Sequence, residues 1–232
     1  MKLLDGLELQ LLNRDLKRTD FRHMLVRVRA ALKHFAAIEN LCRDILVRMD
    51  EAAPFPASLQ AFLIEYRAYW DSSIERITDH IESRFDMDSK RILTHSNSHT
   101  ITSLLGDLHE RGHRFTVVQT LSSPGEEGRA ALRELNRHGI RALLVDDEKV
   151  REVLPETDMV FMGCDTLLAS EFLNKSGTRR IAESAHKQTL PFILATESRK
   201  QIRIRNWKRS LQPDPLFEWV PLDLVTAVVT ER

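Results

Sequence analysis

Residues 159–188, MVFMGCDTLLASEFLNKSGTRRIAESAHKQ, place a carboxylate, an ammonium and a helix start within one short span. Asp165 follows the apolar run MVFMG, so it stands just past the end of a predicted buried strand. A carboxylate there, facing a low-dielectric crevice, acts as a general acid or base when burial raises its pKa. The same residue type also serves as a turn or cap aspartate, and both readings fit. Further on, Asn174-Lys175-Ser176-Gly177-Thr178 precedes a helical stretch. Gly177 permits close backbone approach, Ser176 or Thr178 can cap, and free N–H groups at a helix start favour a phosphate, to which Lys175 adds a full charge. An ordinary turn with a solvated lysine explains the same five residues.

Two other segments carry chemistry. THSNSHT offers Ser96 with His95 and His99 nearby, a pairing that suggests an activated nucleophile, but no G-x-S-x-G elbow surrounds it. Histidines four apart also suggest a metal, yet there is no H-E-x-x-H, and Cys42 and Cys164 have no partner at ligand spacing, so no metal is expected. SSPGEEGR can present backbone and hydroxyl donors to an oxyanion around Ser123, Glu127 and Gly128; a proline-glycine turn before a helix explains it equally. No full P-loop and no G-x-G-x-x-G occurs, which weighs against triphosphates and dinucleotides, and no cofactor is expected.

The elements that must position these groups follow from glycine, proline and apolar spacing. Between Gly6 and Gly106 there is no glycine, and the prolines there are Pro54 and Pro56. Apolar residues recur at helical spacing from Phe21 to Met49 and again from Leu59 to Phe85, which predicts two long antiparallel helices after a shorter leucine-rich one. From about residue 90 short apolar strands alternate with helices: RILTHS, FTVVQT, RALLVD, DMVFMG, PFILAT and TAVVT. Helical connections between strands demand a parallel sheet with right-handed crossovers. The expected fold is therefore α/β, a Rossmann-like, mainly parallel sheet domain over 89–232 preceded by an all-helical domain over 1–88. Ligands of such sheets bind at the strands' carboxyl ends, where THSNSHT, QTLSSPGEEGR, GCDTLLASEFLNKSGT and ATESRK should gather.

Bulk composition limits the partners. The 232 residues hold 34 lysines and arginines against 34 aspartates and glutamates, so no broad charge favours nucleic acid or an anionic membrane. Two cysteines in apolar runs fit a reducing compartment, and the N-terminal stretch is broken by Asp5, Glu8 and Asp15, unlike a signal-peptide core. A cytoplasmic protein is expected.

In order along the chain, ILTHSNSHT, FTVVQTLSSPGEEGR, GIRALLVDD, MVFMGCDTLLASEFLNKSGT, PFILATESRK and PLFEWVPLDLVTAVVTER resemble one family. It comprises the alpha, beta and delta subunits of eukaryotic translation initiation factor 2B with methylthioribose-1-phosphate isomerase and ribose-1,5-bisphosphate isomerase. The likeness runs from about residue 90 onward; before that it is one of architecture. It implies that Asp165 is the acid and that Asn174, Lys175, Gly177 and Thr178 contact a substrate phosphate, with Ser123, Glu127 and Gly128 lining the same site. It also implies a homodimer paired through the sheet domain. Three departures bear on activity. Ser96 stands where the isomerases place a catalytic cysteine, and an unassisted hydroxyl is a much weaker acid than a thiol. The isomerases' Arg-Gly-Ala tripeptide does not occur in this sequence, and Ser123 replaces an arginine before the proline, while EEGR is similar to the regulatory subunits. The resemblance thus implies a regulatory protein that binds a sugar phosphate or nucleoside monophosphate. A divergent aldose–ketose isomerase, in which His95 or His99 assists Ser96, and a structural assembly subunit are the alternatives.

Overall fold

The computed structural model describes residues 2–13, 15–51, 54–203 and 214–232. The chain divides into two compact units, Met1–Ser73 and Ile74–Arg232.

The first unit is helical: α1 (Lys2–Leu11), α2 (Arg18–Ala31), α3 (Ala36–Asp50) and α4 (Ala57–Asp71). The rhythm from Phe21 to Met49 forms two helices rather than the one expected. Arg22 pairs with Asp50 at 2.7 Å and Arg29 with Glu39 at 2.5 Å, so α2 and α3 run antiparallel as a hairpin about Leu32–Phe35. Both helices face one core of Leu7, Phe21, Leu25, Ile45 and Leu63, which keeps the apolar spacing in phase across a turn that no glycine or proline marks. The second rhythm also breaks, between α4 and α5 (Ser73–Glu82). There the Ser72 hydroxyl donates to Tyr69 O at 3.0 Å and the Ser73 hydroxyl to Trp70 O at 2.7 Å, and hydroxyls that take main-chain carbonyls compete with helix continuation.

The second unit holds the alternating pattern. Its elements are β1 (Arg91–Thr94), α6 (His99–Glu110), β2 (Thr116–Thr120), α7 (Gly128–Arg137), β3 (Arg141–Val145), α8 (Val150–Val153), β4 (Met159–Met162), β5 (Thr166–Leu167), β6 (Glu171–Lys175), α9 (Thr178–Lys187), β7 (Phe192–Ala195), β8 (Phe217–Pro221) and β9 (Ala227–Val229). Six strands pair in the order β3-β2-β1-β4-β7-β9, every neighbour parallel. This is the Rossmann order, with its switch point between β1 and β4. Ile77 and Ile81 of α5 pack with α6 and α7 residues such as Leu104, Leu105 and Leu135 against one face of the sheet. Val150 of α8 and Ile181, Ala182 and Ala185 of α9 cover the other. α5, which the sequence reading grouped with the N-terminal helices, thus contributes to the sheet domain's core.

A second sheet, β5-β6-β8, is antiparallel and was not anticipated. Its first two strands, β5 and β6, fill the connection between β4 and α9, which reads from sequence as an extended loop. Its effect is to carry Asn174 and Lys175 on a strand and to turn the chain back into α9 at the large sheet's carboxyl edge.

One close approach fixes the geometry of that edge. A Cβ built on Gly128 would lie 1.9 Å from the Thr120 carbonyl oxygen, so α7 starts directly against the end of β2. Backbone cannot yield as a flexible side chain can. Gly128→Ala is therefore expected to destabilise the chain by about 3 kcal/mol or more. Urea denaturation measures it, and a midpoint equal to that of the wild type would contradict so tight an approach.

Candidate functional site

The carboxyl ends of β1, β2 and β4 and the β6–α9 turn converge, as the positions of THSNSHT, QTLSSPGEEGR and NKSGT require. His95, with only 2% of its surface exposed, joins three of them. Its Nε2 lies 3.0 Å from Ser176 O, so that nitrogen carries the proton and donates. Nδ1 is then the acceptor, with the Thr120 hydroxyl at 2.6 Å and the Ser122 hydroxyl at 3.2 Å. Burial lowers the His95 pKa below its ordinary value; the Ser176 carbonyl and the charges of Asp147 and Glu218 oppose that without overcoming it. The imidazole is neutral at pH 7.

Ser96 follows with φ +67°, and its N–H donates to the Ser122 hydroxyl at 2.7 Å. Among the described residues five non-glycine positions have positive φ, and three of them, Ser96, Ser122 and Glu126, lie in these loops. Such strained backbone persists where the surroundings over-determine it, often at binding sites. His99, the other histidine proposed to assist Ser96, has its Nδ1 3.2 Å from the Ser103 hydroxyl on α6.

Lys175 is buried. Its ammonium reaches Glu127 at 2.7 Å, with side-chain exposures of 5% and 37% for the lysine and the glutamate. The two candidates from separate segments therefore meet. Asn174 and Thr178 are tied to each other instead: Asn174 Nδ2 donates to Thr178 Oγ1 at 3.0 Å, and that hydroxyl donates to Lys175 O at 2.6 Å. Gly177, at φ +103°, makes the left-handed turn into α9 that a side chain would resist. Its N–H and that of Arg179 donate to one oxygen of Glu218, at 2.7 and 2.8 Å. The Ser123 N–H donates to Asp147 at 2.7 Å, and the Ser122 N–H to the other oxygen of that carboxylate at 2.8 Å. Gly128 acts through backbone packing, as described above.

Asp165 is half-buried just beyond β4, its N–H donating to Leu173 O at 2.9 Å. Beside it Cys164 contacts the Thr196 hydroxyl at 3.2 Å, and burial pushes its thiol up to about 11, so it is protonated at neutral pH. Past β7, Glu197 is buried; desolvation drives its pKa up, but Lys200, Arg199 and the Thr100 hydroxyl outweigh that and hold it below the usual carboxylate range.

The sequence reading missed Asp147, Glu218 and Gln119. Gln119 is fully buried and donates from Nε2 to Ser96 O and Thr120 O, both at 3.0 Å, while its Oε1 has no hydrogen-bond partner among the described residues. Flipping the amide would set its oxygen against two carbonyls, so the orientation is fixed. The signal for it was in FTVVQT, a polar side chain inside an otherwise apolar strand. No group of three or more histidine, cysteine or carboxylate residues able to hold a metal occurs among the described residues, and none of their helices is long and apolar enough to cross a membrane.

A ribose 1,5-bisphosphate isomerase of Archaeoglobus fulgidus is 29% identical over 185 residues, covering 70% of this chain and 59% of its own length. The chain thus spans about six-tenths of that relative. A putative translation initiation factor eIF-2B subunit 2-like protein of Pyrococcus horikoshii is 28% identical over 215 residues, covering 84% of this chain and 67% of its own. Among solved structures, the Pyrococcus horikoshii OT3 translation initiation factor eIF-2B superposes with a TM-score of 0.83 at 23% identity, covering 98% of this chain and 86% of that one. At that identity the superposition speaks to fold. The sequence model of the initiation factor 2 subunit family matches residues 21–212. The chain belongs to that family.

Proposed function

We propose that the cleft at the switch point binds a sugar phosphate or nucleoside monophosphate, and that the protein is a regulatory binding member of its family rather than an isomerase. The observation that carries this reading is the buried Lys175 ammonium. Desolvating an ammonium costs several kcal/mol even after relaxation, and packing alone is better served by an apolar chain of similar volume. A lysine kept at the carboxyl edge, with Glu127 able to turn toward solvent, suits exchange of a carboxylate for a phosphate. A purely structural assembly role leaves that lysine unexplained. The isomerase relatives suggest the class of ligand, and the likeness of EEGR to the regulatory subunits suggests the regulatory role; a cytoplasmic homodimer is part of the same proposal.

Turnover is disfavoured by the groups around Ser96. The resemblance places a cysteine of the isomerases where Ser96 stands, and an unassisted hydroxyl is a much weaker acid than a thiol. His95 is neutral with both nitrogens engaged, and the Cys164 thiol is protonated. The isomerase reading nonetheless has the curated relatives in its favour, so it defines a test. Incubation with ribose 1,5-bisphosphate or methylthioribose 1-phosphate should give no protein-dependent aldose-to-ketose conversion. Turnover abolished by both Ser96→Ala and Asp165→Asn would establish the isomerase instead.

Binding has its own signature. A ligand at a hundredfold excess over its Kd should stabilise the chain by about 2.7 kcal/mol. Lys175→Met should remove that gain while shifting the unliganded stability by no more than about 1 kcal/mol, because methionine fills the volume and spares the desolvation. Full ligand stabilisation in the variant would place the phosphate elsewhere.

His95 gives a pH dependence of known sign. Its folded pKa lies below the unfolded value near 6.5, so the unfolded chain takes up the proton first. The stability it confers is complete above about pH 6.5 and is lost as the pH falls through the lowered folded value. Replacing it by His95→Gln should flatten the stability profile below about pH 6.5, by at most the slope of one proton. Urea midpoints across that range measure it; an unchanged slope would mean that His95 titrates alike folded and unfolded.

A further inference from the structure

Three sets of donors suited to an anion meet at this edge, and a carboxylate from a different element closes each. Lys175 is held by Glu127 from the loop before α7. The Ser122 and Ser123 N–H groups are held by Asp147 from the turn after β3. The Gly177 and Arg179 N–H groups, at the start of α9, are held by Glu218 of β8. Between the second and third sets lies a cavity of about 40 Å³ lined by His95, Asp147, Val150, Gly177, Arg180 and Ile181. The Arg180 side chain is exposed and makes no hydrogen bond or ion pair among the described residues. The Arg180 charge and the Asp147 carboxylate thus line one cavity beside the donors that Glu218 occupies.

An ordinary helix cap comes from the N-cap residue itself. Here that residue is Gly177, which has no side chain to offer, and the acceptor arrives from a strand far along the chain. Glu218 faces Asn174 in the β6–β8 ladder, so its backbone is fixed while its carboxylate reaches round to α9. One of its oxygens takes both N–H groups, where one oxygen of a phosphate would sit.

We infer that Glu218 is an internal competitor for the anionic ligand: its carboxylate and a bound phosphate exclude one another at the first turn of α9. The inference rests on the phosphate reading above and adds a regulatory contact to it. Binding must displace a negative charge already satisfied by the same donors, which lowers the apparent affinity by the fraction of molecules in which Glu218 is attached. Asp147 stands in the same relation to the Ser122 and Ser123 donors.

Calorimetric titration of the full chain with ribose 5-phosphate, and separately with inorganic phosphate, tests this. Glu218→Gln keeps an acceptor for the two N–H groups but removes the charge. It should bind both probes about tenfold more tightly than the wild type. Equal or weaker binding by the folded variant, with the wild type still binding, overturns the inference and leaves the phosphate reading standing. A gain for ribose 5-phosphate without one for inorganic phosphate also overturns it, since competition would then lie at the sugar. Binding of neither probe by either protein overturns both readings. Should Glu218→Gln fail to fold, Glu218→Ala, which removes the carboxylate altogether, carries the same expectation and the same refutation.

Discussion

The buried imidazole of His95 is the contact on which this edge of the sheet depends. Parallel strands end without a shared turn, so their carboxyl loops have no covalent reason to stay together. His95 supplies one: a donor to the β6–α9 turn and an acceptor toward the end of β2, from a residue at the end of β1. Its neutrality matters to the arrangement. A protonated ring would have two donors and no acceptor, and the Thr120 and Ser122 hydroxyls would have to reverse their roles. Burial keeps the proton off and so leaves Nδ1 an acceptor for these hydroxyls.

Around that neutral hub, carboxylates occupy the places where the fold offers anion-binding donors. A phosphate site built on a helix start and a lysine is usually thought of as positive. Here Glu127, Asp147 and Glu218 set three carboxylates against those donors. Two consequences follow. No donor of the three sets is left bare, and under the phosphate reading a ligand would gain affinity by replacing carboxylates rather than by meeting free donors. Such a site discriminates by fit, because a ligand that cannot reproduce all the displaced hydrogen bonds leaves donors unpaired.

Much of this was legible in the sequence, for identifiable reasons. The six parallel strands announced themselves as short apolar runs separated by helices, and four loop segments were assigned to one edge by the rule for open sheets. Lys175 and Glu127 were named from separate segments, and they meet. What escaped was of two kinds. The helix breaks at Leu32–Phe35 and at Ser72 carry no glycine or proline, and a hairpin folded about one core keeps its apolar spacing across the turn. The partners Asp147 and Glu218 are ordinary surface-type residues whose meaning depends on where β3 and β8 end, a tertiary fact that no local pattern encodes. The antiparallel β5-β6-β8 sheet belongs with them, since two-residue β5 is too short to show a period.

The backbone at Ser96 connects fold to function most directly. A serine at φ +67° is costly, of order 1 kcal/mol or more, and glycine would avoid the cost. What serine adds is a side chain at the switch point, so the strained conformation matters only if that hydroxyl is used. The adjacent His95 has both ring nitrogens engaged, and a hydroxyl takes a carbon-bound proton less readily than a thiolate. As a hydrogen-bonding group it is well placed: the Ser122 hydroxyl and the Gln119 amide hold the main chain on both sides, so the hydroxyl can be presented to a ligand at little further entropic cost. The same main-chain bonds that hold Ser96 in its left-handed conformation therefore fix the place from which its hydroxyl can act.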